Sequence, residues 1–223
     1  MAGMTNDAPE TIPDKEPDKT APAVPEPGVQ VIVQEWISLD GFAAGPRGES
    51  DLFAAVAPET SAAGQDWNMR LLPHVDEILM GRTTYELFSA YWPTADEPIA
   101  GQLNSARKTV ASRTLSSAPW GAYPEAAVVP DAVRYVRERR SQGGKFLIWG
   151  SVSIVHALLE AGQVDELDLF IAPIMLGQGL RAFPERSLLL QLHNVRHWRG
   201  TLHARYRPSA PREPGAAARD LVF

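Results

Sequence analysis

Gly143–Glu160 reads G-G-K-F-L-I-W-G-S-V-S-I-V-H-A-L-L-E. A glycine pair that can end a helix leads into Lys145–Trp149, an apolar run with the length and composition of a buried strand. Gly150-Ser151 breaks the run. Ser151 or Ser153 can then start a helix, because Ile154, Val155, Leu158 and Leu159 recur at helical spacing. Strand, tight glycine turn and helix N-terminus let backbone N–H groups meet a phosphate; they also make an ordinary strand-to-helix connection.

The same arrangement recurs upstream. Ile78, Leu79 and Met80 are a short buried strand, Gly81 breaks it, and Thr83 or Thr84 can cap a helix carrying Tyr85, Leu87 and Phe88. Arg82 stands at the start of that helix. There a guanidinium adds a fork of donors to the helix's positive end, or simply faces solvent. Lys108–Ser112 is a third short strand, ending in the polar cluster Ser112-Arg113-Thr114.

Farther out, Val29–Ser38 is a β-branched strand closed by Leu39-Asp40-Gly41. Gly45, Pro46 and Gly48 keep the next segment irregular, as a lid or a plain connection. Residues 61–72 form a helix with Trp67, Leu71 and Leu72 on one face and Asp66 near its start. A helix over Asp131–Arg140 carries Arg134, Arg137, Arg139 and Arg140 on a solvated face. In Val164–Ala172, Leu167, Leu169 and Ile171 alternate with Glu166, Asp168 and Phe170. Leu188–Trp198 and Thr201–Arg207, parted by Arg199-Gly200, form a closing hairpin. Strands alternating with helices predict an α/β fold with a mostly parallel central sheet, flanking helices and a C-terminal antiparallel hairpin. Ligands of such sheets sit at the carboxyl ends of strands. The clusters 38–41, 81–84, 112–114, 150–154 and 173–179 all fall at such ends.

Charge and composition remove several classes of function. Six acids against two lysines give residues 1–28 a charge of −4 of the chain's −6, so the remainder carries −2. No basic footprint for nucleic acid is present. The absence of cysteine removes disulfides, thiolate metal sites and a Cys nucleophile. No apolar run has the length of a membrane span. Residues 1–28, acidic and rich in Pro and Ala, read as a disordered tail, and 208–223 as a flexible one, which leaves 29–207 as the folded domain. His193 and His197, four apart in a strand, stand about 13 Å from each other, too far to share a metal. Neither a G-x-S-x-G elbow nor a Walker-type loop occurs.

In order and spacing, I-S-L-D-G (37–41), E-I-L-M-G-R-T-T-Y-E (77–86), K-T-V-A-S-R-T-L (108–115), G-G-K-F-L-I-W-G-S (143–151) and V-D-E-L-D-L-F-I-A-P-I-M-L-G-Q-G (164–179) resemble the dihydrofolate reductase-like superfamily. The closer resemblance is to the reductase domain of the bacterial riboflavin-biosynthesis protein and its stand-alone relatives. It covers about 30–205. It implies an NADPH-dependent reductase of a small planar N-heterocycle, of pyrimidine or pteridine type. Gly81, Arg82, Thr83 and Thr84 match the loop that holds the cofactor phosphates. Ser112, Arg113 and Thr114 match the loop by the adenosine ribose, and Gly150, Ser151, Val152, Ser153 and Ile154 the turn beside pyrophosphate and nicotinamide. Many relatives have two glycines where this chain has Gly150-Ser151. Two arginines near a 2′-phosphate favour NADPH over NADH.

A reductase of this kind also needs a proton donor. Asp40 matches an acid of the riboflavin-type reductases and is the first candidate. Asp66 stands about where dihydrofolate reductases keep their substrate-binding acid and is the second. A turn residue and a helix-start charge are their plainer readings. Trp36, Phe53 and Trp67 can wall a planar ring or belong to the core. The resemblance further implies a cytoplasmic homodimer. Two alternatives stand beside the reductase: a true dihydrofolate reductase, and a non-catalytic dimeric ligand-binding member of the fold.

Overall fold

Val31, Ile32 and Val33 are all buried, so the first strand has no solvent face and must lie inside a sheet covered on both sides. A computed structural model describes residues 30–209 and shows how. The sequence tails 1–28 and 210–223 lie outside the described residues.

The strands are β1 (Gln30–Ser38), β2 (Phe42–Ala44), β3 (Glu77–Gly81), β4 (Lys108–Ala111), β5 (Ala127–Val129), β6 (Lys145–Trp149), β7 (Glu166–Ala172), β8 (Leu180–Arg181), β9 (Leu190–Trp198) and β10 (Thr201–Pro208). The helices are α1 (Ser50–Phe53), α2 (Pro58–Leu71), α3 (Arg82–Tyr91), α4 (Ala100–Ser105), α5 (Ala132–Arg140) and α6 (Val152–Glu160). The main sheet has the order β5-β4-β3-β6-β1-β7-β10-β9. Strands β5 to β7 run parallel, and β10 and β9 close the sheet antiparallel, which is the predicted class. Strand β10 includes Pro208, and the N–H of Ser209 donates to the carbonyl of Leu189 at 2.9 Å.

Alternation of side chains along the strands divides the core in two. Val31, Val33, Phe146 and Ile148 pack against Val136 of α5 and Val155 and Leu158 of α6. Ile32, Ile78, Met80 and Leu147 pack on the other face against Leu71 of α2, Tyr85 of α3 and Leu103 of α4. Each fully buried aliphatic side chain contributes roughly 1.5–3 kcal/mol. On β7 the polar residues of the alternation are not at the surface: Glu166 and Asp168 are buried. Arg205 meets Glu166 at 2.5 Å, and Asp168 accepts bonds within the core, so β7 is covered on both faces like β1. The arginine face of α5 is only partly solvated: Arg139 lies 3.5 Å from buried Glu77, and Arg140 3.0 Å from Asp165.

Register places the opening in the sheet. Pairing of β1 with β6 stops at Gln34↔Trp149, whereas pairing with β7 continues to Ser38↔Ala172. From Glu35 onward, the edge of β1 that faces β6 has no strand against it among the described residues. A crevice therefore opens at the carboxyl ends, where the strand order reverses around β1. Among the described residues no helix is long and apolar enough to cross a membrane.

Candidate active site

Three strand–turn–helix junctions form one side of this crevice. Strand β3 ends at Gly81, which is itself the N-cap of α3 in extended conformation. The expectation that Thr83 or Thr84 caps this helix does not hold: no side chain caps it, and Thr84 Oγ1 instead accepts from Ser151 Oγ at 2.7 Å. Strand β6 ends in two consecutive left-handed residues, Gly150 (φ 61°) and Ser151 (φ 70°). A serine there costs about 1–2 kcal/mol over glycine. Its hydroxyl supplies the compensation, because it also accepts from the N–H of Gly81 at 2.8 Å. One side chain thus ties the β6–α6 turn to the β3–α3 junction. After β4, Ser112 Oγ accepts from the N–H groups of Thr114 and Leu115, both at 3.2 Å. Arg82 Nη1 donates to Thr114 Oγ1 at 3.4 Å, while Arg113 is exposed. The N-termini of α3 and α6 add their positive ends.

The opposite side is built from β1, α1 and α2. Trp36 stacks on Phe170 (4.7 Å between centroids) and meets Phe53 at 5.4 Å. Helix α2 packs on this wall at Gly64, where a Cβ would meet Trp36 Cζ2 at 3.4 Å, an ordinary van der Waals contact. Glu35 is 6% exposed, and its Oε1 has no hydrogen-bond partner among the described residues. Burial, and then the charge of Glu49, push its carboxyl up to about 8. Burial also raises Glu49 itself.

The two sides enclose a cleft of ≈ 1290 Å³, roomier than the ~300–1,000 Å³ of a typical small-molecule site. Gly81, Arg82, Thr83 and Thr84 line it, as do Ser112, Arg113 and Thr114, and Gly150, Ser151, Val152, Ser153 and Ile154. Trp36 and Phe53 line it as well. The donor set at the three junctions (guanidinium forks, hydroxyls, helix N-termini and small turn residues) suits the phosphates of a dinucleotide.

Three of the expected site residues lie elsewhere. Asp40 is outside the cleft lining. Its carboxylate accepts from Ser38 Oγ at 2.6 Å, from the N–H of Gly177 at 2.7 Å and from the N–H of Leu176 at 3.0 Å. The Ser38 hydroxyl first, then these amides, hold it down to about 2, so at neutral pH it has no proton to give. It pins the 173–179 connection beside β2. Gly179 (φ 137°) completes that contact, since a Cβ there would collide with the carbonyl of Ala44. Asp66 is exposed on α2, away from the lining. Trp67 is buried behind the wall: its Nε1–H donates to Asp168 Oδ2 at 2.9 Å, and its ring lies 4.6 Å from His203.

Sequence reasoning missed Glu35, Glu49, Gln34 and Asn68, all of which line the cleft. One signal was available for Glu35. It interrupts an apolar strand, and a central strand of a doubly covered sheet has no solvent face to offer a carboxylate. Among the described residues no group of three or more His, Asp or Glu could hold a metal ion.

A sequence model of the RibD C-terminal domain matches residues 29–202. The uncharacterized protein YyaP of Bacillus subtilis (strain 168) is 26% identical over 191 residues, which are 77% of this chain and 96% of YyaP. Among crystal structures, a Shewanella sp. PV-4 protein named for riboflavin biosynthesis superposes with a TM-score of 0.65 at 24% identity, covering 81% of this chain and 99% of that one. A pyrimidine reductase-like protein of Corynebacterium diphtheriae gives 0.57 at 16% identity, covering 82% and 92%. The diaminohydroxyphosphoribosylaminopyrimidine deaminase/5-amino-6-(5-phosphoribosylamino)uracil reductase of Thermotoga maritima gives 0.57 at 15%, with 82% of this chain and 57% of that chain covered. At these identities the superpositions show a shared fold.

Proposed function

This chain belongs to the RibD C-terminal domain family, and on that premise we propose that it is an NADPH-dependent reductase of a small planar N-heterocycle. The observation that supports the proposal is the division of one cleft into a side of guanidinium, hydroxyl and helix-start donors at β3, β4 and β6 and an aromatic side with a buried carboxyl, pushed up to about 8, at β1. Arg82 and Arg113 would pair with a 2′-phosphate, which NADH lacks. Ser151, the Gly81 junction and the N-terminus of α6 would hold the pyrophosphate. A nicotinamide bound there would supply a hydride. Trp36 and Phe53 stack the substrate ring and keep water from it. Glu35, protonated at neutral pH, delivers a proton to the ring nitrogen as the neighbouring carbon is reduced, and solvent returns the proton afterwards. Glu49 assists by raising the proton affinity of Glu35.

Trp36, Trp92 and Trp149 line the cleft, so nucleotide binding is read directly from tryptophan quenching. NADPH should saturate the signal and bind more tightly than NADH. Arg82→Ala and Arg113→Ala should each weaken NADPH by about tenfold, the value of one exposed charge-assisted contact. Absence of binding by either nucleotide sinks the proposal. We also propose a homodimer. Leu190, Leu192, Val195 and Leu202 on β9 and β10 are each at least 40% exposed, and sedimentation as a monomer would remove this reading.

A further inference from the structure

The substrate side of the cleft presents acceptors that have nothing to accept from. Gln34 Oε1, Glu35 Oε1 and Asn68 Oδ1 are buried without a hydrogen-bond partner among the described residues. Their residues line the cleft and are 1%, 6% and 8% exposed. A buried acceptor left unpaired is costly, and three of them on residues that line one cleft mark where ligand donors belong.

The orientation of Gln34 is set by the core behind it. Its Nε2 donates to Asp168 Oδ2 at 2.9 Å, the same oxygen takes the Trp67 indole N–H, and the other oxygen is bonded to His203. Burial alone would raise Asp168, but the His203 bond and charge, with those of Gln34 and Trp67, outweigh it and keep the carboxyl ionised. An ionised carboxylate only accepts, so the Gln34 amide nitrogen must face it and the carbonyl must turn away. Gln34 is therefore held as an acceptor.

Charge in the cleft is divided as well. The arginines of the lining end β3 and follow β4, two and three strands from β1, or roughly 10 and 14 Å at the usual strand spacing; His156 is on α6. On the β1 and α1 side the charged groups of the lining are the acids Glu35 and Glu49, whereas Arg82 opens α3 across the cleft. A phosphate or carboxylate seated against β1 and α1 would meet no cation to offset its loss of water.

We propose that the substrate is a planar ring with a reducible C=N bond, bearing N–H or NH2 donors and no phosphate or carboxylate, with its donors on Gln34 and Asn68. The assignment rests on the reductase reading and departs from the phosphoribosyl compound named for the Thermotoga maritima protein. In the reaction the carbon of C=N gains the hydride, the π pair moves to nitrogen, and nitrogen takes the proton of Glu35. The products are the CH–NH compound, oxidised nicotinamide and a Glu35 carboxylate that solvent reprotonates.

Calorimetric titration of the full chain tests this without turnover. The probes are 2,4-diaminoquinazoline against quinazoline, and 5-amino-6-(5-phosphoribosylamino)uracil against its dephosphorylated counterpart. The diamino compound should bind at least about tenfold more tightly than quinazoline, and the phosphate should add no affinity. Asn68→Leu should cut the diamino preference to below about threefold; Gln34→Leu should do the same, and if it fails to fold, Asn68→Leu alone decides. Equal binding of the two quinazolines, no binding of either, or clear preference for the phosphorylated uracil overturns the inference. NADPH titration of the same sample separates the two claims. Nucleotide binding with a phosphate preference removes this inference alone, and a diamino preference without nucleotide binding removes the reductase reading alone.

Discussion

At the ends of β3, β4 and β6 the cleft wall is backbone, hydroxyls and two arginines open to solvent; at β1 and α2 it is aromatic rings, buried amides and a buried carboxyl without a partner among the described residues. The first wall is assembled from short local segments, each a strand, a small residue and a helix start. Its groups act in parallel and in contact with water, so the loss of one is shared among the others. The second wall draws on residues far apart in the chain, out of water, where each polar group carries the full cost of its environment. Substitutions should therefore be graded: severe on the β1 wall, moderate at the junctions and slight at the rim.

Glu35→Gln should have the largest effect. Under the proposed chemistry it removes the proton donor, and hydride transfer at neutral pH should fall by roughly 10²–10⁴-fold with NADPH affinity unchanged. Wild-type turnover should decline as pH rises through about 8, where Glu35 loses its proton, and the variant's residual rate should lack this inflection. Stability should respond in the opposite sense to activity. Unfolded, the carboxyl ionises near 4.5; folded, near 8. Between these values the native state binds more protons, so wild-type stability falls as pH rises across the window. The variant carries no such loss: its unfolding free energy should match wild type at pH 4 and exceed it at pH 8 by on the order of a few kcal/mol, measured by chemical denaturation. Unchanged turnover would give the proton to another group and erase the contrast between the walls.

The same contrast explains what could be read from the chain. The junction wall was legible because local signals make it: apolar runs of strand length, glycines that stop them, helical spacing after them. All twelve residues inferred there line the cleft. The β1 wall was not, because its partners are remote. Asp40 looks like a reactive acid in L-D-G, but besides the nearby Ser38 hydroxyl its charge is held by the amides of Leu176 and Gly177, over 130 residues away. Trp67 was rightly placed on the inner face of α2, yet helical spacing does not tell which neighbour it meets, and it meets Asp168. Glu35 follows Gln34 in the middle of a β-branched run, and an acid there reads as solvent-facing until the strand is known to be central.

Ser151 tests the junction wall at its one long-range tie. Ser151→Ala keeps a Cβ in the left-handed region and deletes both hydroxyl bonds, leaving the Gly81 N–H without its acceptor. A loss of about 1–3 kcal/mol in chemical denaturation follows. Ser151→Gly deletes the same bonds but relieves the backbone, and should lie within about 1 kcal/mol of wild type. If the alanine variant were as stable as the glycine one, the hydroxyl would not be what compensates the strained turn.

Asp40→Asn should have the smallest effect on the reaction. Asp40 lies outside the cleft and carries no proton at neutral pH, so turnover at pH 7 should stay within about twofold of wild type. Its effect should appear in acid. The folded carboxyl ionises near 2 and the unfolded one near 3.8. The stability it confers is complete above the higher value and is lost as pH falls toward the lower one. Wild type should therefore lose stability between pH 4 and 2 more steeply than Asp40→Asn, which has no charge to lose. A fall in turnover comparable to that of Glu35→Gln would return Asp40 to the chemistry. A flat turnover with the expected acid difference fixes it as the pin that holds 173–179 against the first loop, and leaves Glu35 as the acid of the cleft.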